Sequence, residues 1–426
     1  MTPTRQRIAV IGAGISGLAS AYFLQRQHDV VLFEAGAYLG GHSNTVDVTL
    51  EGKTCGVDTG FLVFNERTYP NLIALFAELG VASIASDMSF GVSVNDGATE
   101  WAGTNLDTVF AQRSHLFSPS FLGMVKDILH FNRHANAYLQ QASNTTLTLG
   151  QLLRQHGYGA RFRDDYLLPM AAAIWSSAPN DILAFPAATF LRFCLNHALL
   201  QVNDRPQWRT VSGGSRCYVE KIAATLPDCR LHSAVRSVRR QQGKLVVSSA
   251  AGEEVFDAVV FATHAPDTLA LLADANVTER AIIGGVRYQP NKAWLHTDAT
   301  LMPRRRKVWS AWNYLSSQGA DNQRPVCVTY WLNQLQALPF NTPVLVTLNP
   351  PTPPAPHTVL ASFDYDHPIL DQATITTQQQ LPQIQGKDGV WYAGAWTGYG
   401  FHEDGLKSAL RIAQAFGVAP AWTVLP

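Results

Sequence analysis

Residues 7–45, RIAVIGAGISGLASAYFLQRQHDVVLFEAGAYLGGHSNT, constrain this chain more than any other stretch. The apolar run Ile8, Ala9, Val10, Ile11 has the character of a strand buried in a parallel sheet. Gly12, Gly14 and Gly17 follow as GxGxxG, and residues 18–25 are helix-prone. A second apolar run, residues 30–33, ends at Glu34, about 20 residues past the glycines. Strand, glycines, helix, second strand and acid thus fall in the register of a dinucleotide-binding βαβ unit.

Each position in that unit has a physical task. Gly12 permits a tight turn, Gly14 lets backbone approach a pyrophosphate, and Gly17 lets the helix pack on the strand. Ala13 and Ser16 share the turn, where unpaired N–H groups and the helix dipole attract phosphate. Glu34, followed by Ala35, is placed to accept hydrogen bonds from ribose hydroxyls and would repel a 2′-phosphate. A second glycine pair, Gly40 and Gly41, comes soon afterwards and is followed by His42.

The 426 residues are enough for two domains and a large core. A net charge of zero, with 15% charged residues, argues against a nucleic-acid partner. Ten Trp, thirteen Tyr and twenty Phe make an apolar pocket plausible, although large α/β cores have similar compositions. Five scattered cysteines without CxxC indicate neither a disulfide frame nor a metal site. No run approaches the roughly 18 apolar residues of a membrane span, and the first apolar run is too short for a signal peptide. The expectation is a soluble, cytoplasmic protein.

Further along, residues 45–50 and 53–57 read as a hairpin turning at Glu51-Gly52, and residues 69–79 as a helix ended by Gly80. Asn95-Asp96-Gly97 marks a second hairpin between residues 88–94 and 98–103. Residues 118–139 read as a helix with a broad apolar face. That face serves the core, a lid over an apolar channel, or contact with membrane lipid. Residues 149–200 continue as helices, and residues 280–377 are strand-rich and aromatic, with Trp294, Trp309, Trp312, Tyr314, Tyr330 and Trp331 in partly alternating runs. The basic run MPRRRK, residues 302–307, is a solvated loop or a site for a carboxylate or phosphate head group.

Three blocks, the fingerprint, WRTVSGGSRCYVEKIAATL at 208–226 and VWYAGAWTGYGFHEDGLKSALRIAQ at 390–414, carry a family likeness. The chain resembles the flavin amine oxidase, protoporphyrinogen oxidase and phytoene desaturase superfamily. GGHSNT and GFHEDG resemble its bacterial NAD/FAD-binding branch, some of whose members are linked to fatty-acyl modification. The resemblance implies an α/β fold: a Rossmann-like FAD-binding domain of the GR2 type interleaved with an α+β substrate domain. Residues 1–80, 205–275 and 385–426 would form the first, residues 81–204 and 276–384 the second.

FAD is the implied cofactor. Gly12, Ala13, Gly14, Ser16, Gly17, Glu34, Ala35, Gly40, Gly41 and His42 would hold its diphosphate and ribose. Val235 would meet adenine through the main chain, Thr263 ends a strand near the cofactor, and Thr59, Gly60 and Phe61 would pass the flavin ring. Gly394, Glu403 and Gly405 would belong to a closing segment whose helix, starting near Gly405, stabilises charge on the ring. This chain departs from the family pattern in three places. His42 replaces an Arg or Lys, Ala395 and Trp396 replace an acid, and His402 stands where amine oxidases place an aromatic cage residue.

The implied reaction is removal of a hydride from a C–H bond of an apolar, fatty-acyl or other lipid substrate, of desaturase or dehydrogenase type. His402 and Glu403 are the candidate acid–base groups. His296 with Asp298 form a second pair, and Lys292 corresponds to a water-holding lysine or an ordinary surface lysine. Amine oxidation, double-bond isomerisation and a noncatalytic role in a lipid-modifying complex remain alternatives. Peripheral contact with a membrane is a further expectation.

Overall fold

The computed structural model describes residues 5–201, 205–317 and 326–425. Residues 1–4, 202–204, 318–325 and 426, which fall within the expected segments, lie outside the described residues. The fingerprint forms as a parallel unit: strand β1 (Arg7–Ile11), helix α1 (Ile15–Leu24) and strand β2 (Asp29–Phe33). Arg7 pairs with Asp29 and Ile11 with Phe33, so the Gly12 turn and Glu34 emerge at the same sheet edge. Cys229–Arg230 lies outside β2, while Ala258–Phe261 and then Val390–Tyr392 flank β1 on its other side. All five strands are parallel, which places their carboxyl ends, where ligands of open α/β sheets bind, along one rim.

The helix α1 begins at Ile15, three residues earlier than the apolar pattern suggests, with Gly14 as its N-cap. Gly17 is the reason it can lie so close to the strand. A Cβ on Gly17 would sit 1.8 Å from the Gly12 carbonyl oxygen. The closing helix, His402–Ala415, packs against α1. At their crossing a Cβ on Gly405 would meet Ile15 Cγ2 at 2.8 Å and Ser16 Oγ at 2.9 Å. This helix starts at His402 rather than near Gly405, because the Asp404 carboxylate accepts the Phe401 N–H at 3.1 Å and caps it one turn earlier.

A seven-stranded sheet stands beside the parallel one, in the order Val359–Pro368, Tyr288–His296, Leu345–Leu348, Cys327–Trp331, Trp312–Leu315, Phe90–Val94, Thr99–Ala102. Its neighbours are antiparallel except Trp312–Leu315 with Phe90–Val94. The Asn95-Asp96-Gly97 turn takes φ of 54°, 55° and 82°, the left-handed conformations those residues tolerate best. Helices Pro119–Ala142, Leu149–Gln155, Leu168–Trp175 and Ala187–Asn196 complete this region. They share one apolar core with its strands.

The hairpin Thr45–Leu50 and Lys53–Asp58 leads into a junction at Asp58. This buried carboxylate accepts from Thr45 Oγ1 at 2.5 Å, Ser215 N at 2.9 Å, Ser215 Oγ at 2.8 Å and Gln336 Nε2 at 2.8 Å. It ties the hairpin, the Gly213-Gly214 turn and the helix that follows Cys327–Trp331 to one point.

Gly17→Ala should therefore lower the unfolding free energy by about 3–5 kcal/mol, because backbone rather than a movable side chain must give way. Urea midpoints of the purified variant measure this.

Candidate functional site

A cavity of about 650 Å³ follows the carboxyl rim of the parallel sheet and continues beneath the seven-stranded one. Gly12, Ala13, Gly14, Ser16, Glu34, Ala35, Gly40, Gly41 and His42 line one part, with Val235, Thr263 and Gly394. Thr59, Gly60, Phe61 and His402 line its middle. Residues separated by nearly four hundred positions are thus brought to one space.

The first part suits a dinucleotide. A Cβ added to Gly14 would meet no atom within 4 Å, so the turn opens onto the cavity where backbone would approach a diphosphate. Glu34 is fixed in aim: its Oε2 accepts from Ala13 N at 2.8 Å and its Oε1 from Gly36 N at 2.7 Å. His42 Nε2 is buried without a hydrogen-bond partner, an orphan that a phosphate or ribityl oxygen would satisfy. The His42 ring stacks on Tyr365 at 4.7 Å and lies 5.3 Å from His367. Burial holds His42 well below the usual imidazole range, helped by His367, His264 and His402, and pushes His367 down to about 4.

His402 occupies the first turn of the closing helix, its ring stacked on Phe61 at 3.7 Å. Its Nε2 lies 2.7 Å from Ser43 Oγ and 3.3 Å from the Tyr218 hydroxyl, which itself lies 2.5 Å from Ser43. Burial pushes its pKa down to about 3, so the imidazole is neutral at ordinary pH. It is therefore a hydrogen-bonding group linked to two hydroxyls rather than a cation.

The other candidates lie elsewhere. Glu403 does not line this cavity. Its carboxylate accepts from Asn71 Nδ2 at 2.7 Å, Asn71 N at 3.2 Å and Leu72 N at 3.0 Å. The helix Pro70–Leu79 has no side-chain cap of its own, and Glu403 supplies the missing acceptors. Gly17 and Gly405 are packing positions behind the lining. His296 is fully buried, its Nε2 2.7 Å from Thr347 Oγ1 and its Nδ1 accepting from Asp298 N at 3.0 Å, so that pair knits strands together. Lys292 pairs with Asp364 at 3.1 Å and lies outside the cavity.

The far part of the cavity is aromatic. Trp175, Phe193, Trp208, Trp312, Tyr330 and Phe401 line it, with Met88, Ile174, Leu199 and Leu348. Trp312 and Tyr330 face each other across adjacent strands, edge to face at 4.7 Å. Burial pushes His197, the imidazole in this part, down to about 4. Of all the lining residues only Glu34, Asp267 and Asp366 are acids, and none is Lys or Arg. Asp267 and Asp366 act on His264 and Tyr288, beside the Thr263 end. The alternating aromatics of residues 309–331 carried a signal for Trp312 and Tyr330. Nothing local marked Trp175 or Phe193, whose helices read simply as apolar.

Fold and cavity together define a dinucleotide-binding protein whose cofactor site opens into an apolar chamber. The family profile of the flavin containing amine oxidoreductases matches residues 15–416, and the chain belongs to that family. FAD is accordingly the cofactor of this chain. AofH of Mycobacterium tuberculosis, named as a flavin-containing monoamine oxidase, is 28% identical over 265 residues, 58% of this chain and 54% of that protein. The match thus spans about half the length of that relative. A CLA-producing fatty acid isomerase from P. acnes superposes with a TM-score of 0.67 at 17% identity, covering 96% of this chain and 98% of the other. Putrescine oxidase bound to putrescine gives 0.68 at 14% identity, covering 97% and 99%. At these identities the solved structures share the fold alone.

Two outcomes test the site. Gly14→Leu should fold with near wild-type stability yet purify without the flavin absorption near about 450 nm, since its side chain enters open cavity rather than packed protein. The imidazoles of His402, His197 and His367 bind protons in the unfolded chain near pH 6.5 but only near 3 to 4 when folded. Stability should therefore rise with pH between about 4 and 6.5, by about 1.4 kcal/mol per pH unit for each fully titrating site. Denaturant midpoints across that range measure the slope, and His197→Gln should flatten it.

Proposed function

We propose that this protein is an FAD-dependent oxidoreductase that removes a hydride from a C–H bond of an apolar acyl chain, as a desaturase or dehydrogenase does. The observation that carries this reading is the neutral aromatic chamber, which offers a long hydrocarbon extensive contact and offers an ammonium group no carboxylate.

Bound FAD supplies the hydride acceptor. The protein's own contribution is position and polarity. Trp312, Tyr330, Trp175 and Phe193 exclude water and restrict a flexible chain to a few conformations, which raises the fraction poised to react. The closing helix begins at the cavity wall, where Phe401 and His402 line it, so the positive end of its dipole lies beside the cavity. His402, neutral and tied to Ser43 and Tyr218, holds its Nε2 in a hydrogen-bond chain with two hydroxyls without adding charge, and would become an imidazolium only while it carries a proton taken from the substrate.

A second reading, oxidation of an amine, is favoured by the family itself and by AofH. A third reading is isomerisation of a double bond; a fatty acid isomerase shares this fold.

Anaerobic mixing separates the three. Under the acyl reading, unsaturated fatty acids or phospholipids bleach the flavin band while simple amines leave it unchanged. Bleaching by amines alone overturns the acyl reading, and acyl product formed without net bleaching replaces it with isomerisation. His402→Ala should retain FAD while slowing reduction by about 10²-fold or more, and unchanged turnover removes His402 from the chemistry.

A further inference from the structure

Twelve large hydrophobic side chains are exposed among the described residues, and five of them fall within residues 106–129. These are Leu106, Leu116, Phe117, Leu122 and Leu129, with Leu106 77% and Phe117 86% exposed. The other seven are scattered along the chain. Isolated exposed hydrophobics need no explanation, whereas a cluster on one segment marks a contact surface.

The segment is a short helix, Leu106–Val109, then the turn Arg113–Phe117, then the long helix Pro119–Ala142. Its inner side is firmly held: His115 stacks on Phe121 at 4.0 Å, and Phe121, Met124 and Phe131 are buried. The outward face therefore has a fixed shape. Leu122, Lys126, Leu129 and Arg133 are spaced by four, three and four residues, which sets them in one row along the helix, and all four are exposed.

Basic groups accompany this segment. The run at residues 304–307 is exposed throughout. Lys307 and Arg113 both pair with Asp107, which fixes the run against the short helix that carries Leu106. Arg306 is held over the rings of Trp309 and Trp331, 3.7 Å and 4.8 Å from their centroids. Asp107 is thus shared by two cations, and Asp127 on the long helix accepts the Gly159 N–H at 3.1 Å. Arg133 and Lys126 add two further cations. Protruding apolar side chains with Lys126 and Arg133 in the same row, and further cations held at Asp107 beside Leu106, complement an anionic lipid surface although the chain as a whole has zero net charge.

We propose that this face docks the protein on an anionic bilayer, Phe117 and Leu122 entering the acyl boundary while the surrounding cations meet the head groups. The long helix packs directly on Ala187–Asn196, whose Phe193 lines the aromatic chamber, so these two packed helices link the docked face to the candidate substrate site. The docking surface stands on this patch alone. Its use, presenting acyl chains to the chamber, rests on the proposed substrate class.

The test is co-sedimentation of the FAD-loaded protein with vesicles of equal parts phosphatidylglycerol and phosphatidylcholine, against vesicles of phosphatidylcholine alone. Binding to the anionic vesicles and its weakening by salt are expected. Phe117→Ser with Leu122→Ser, and separately Lys126→Glu with Arg133→Glu, should each reduce partitioning about tenfold or more, with flavin content and melting temperature unchanged. Absence of binding to anionic vesicles, or equal binding by both variants and the wild type, overturns the proposal. So does a wild-type oligomer that dissociates when Phe117 and Leu122 are replaced, since a second copy would then cover the face. Vesicle binding without flavin bleaching by any acyl substrate supports the docking surface and defeats the acyl reading; bleaching by free fatty acid without vesicle binding does the reverse.

Discussion

The close approach of Gly17 to the Gly12 carbonyl, where an added Cβ would sit 1.8 Å from the oxygen, sets the rest in place. With no side chain between them, α1 lies on the sheet with its first turn aimed at the cavity. The closing helix can then cross α1 at Gly405, against Ile15 and Ser16. That second contact brings the last fifty residues of the chain to the same rim as the first fifty. A methyl group at either crossing would separate the glycine turn from the segment carrying Gly394 and His402.

Asp58 does for the two sheets what those glycines do for the two ends. It is a buried carboxylate without a cationic partner at bonding distance, and hydroxyl, backbone and amide donors from three segments satisfy it. Burial raises its pKa and the hydrogen bonds oppose that shift. The next residues, Thr59 to Phe61, are thereby held where they line the middle of the cavity. Thr59 Oγ1 lies 2.7 Å from the Tyr365 hydroxyl, so the outer strand of the seven-stranded sheet is drawn into the same junction.

Much of the framework was legible because the signals are local. Gly12 of GxGxxG, Gly52 and Gly97 take φ of 97°, 72° and 82°, angles that glycine supplies without strain, while Gly14 and Gly17 matter for close approach instead. The long helix, read from its apolar face as residues 118–139, spans Pro119–Ala142 with Ser118 as its N-cap. Polar candidates were less legible. Glu403 and His402 are adjacent, yet a helix turns successive side chains through about 100°, so one faces the cavity and the other caps a neighbouring helix. His296 and Asp298 alternate along a strand as a reactive pair might, but that spacing does not tell which face is buried among threonines.

By itself the sequence determined the βαβ unit and its glycine turn, since glycine spacing acts through steric limits on the chain within a few residues. It also determined the family, through three short blocks. Tertiary structure alone decided which aromatics line a chamber, which histidines are neutral within it, and which apolar side chains are left facing outward. Those properties depend on burial, a sum over neighbours contributed by distant parts of the chain. No local pattern records that sum.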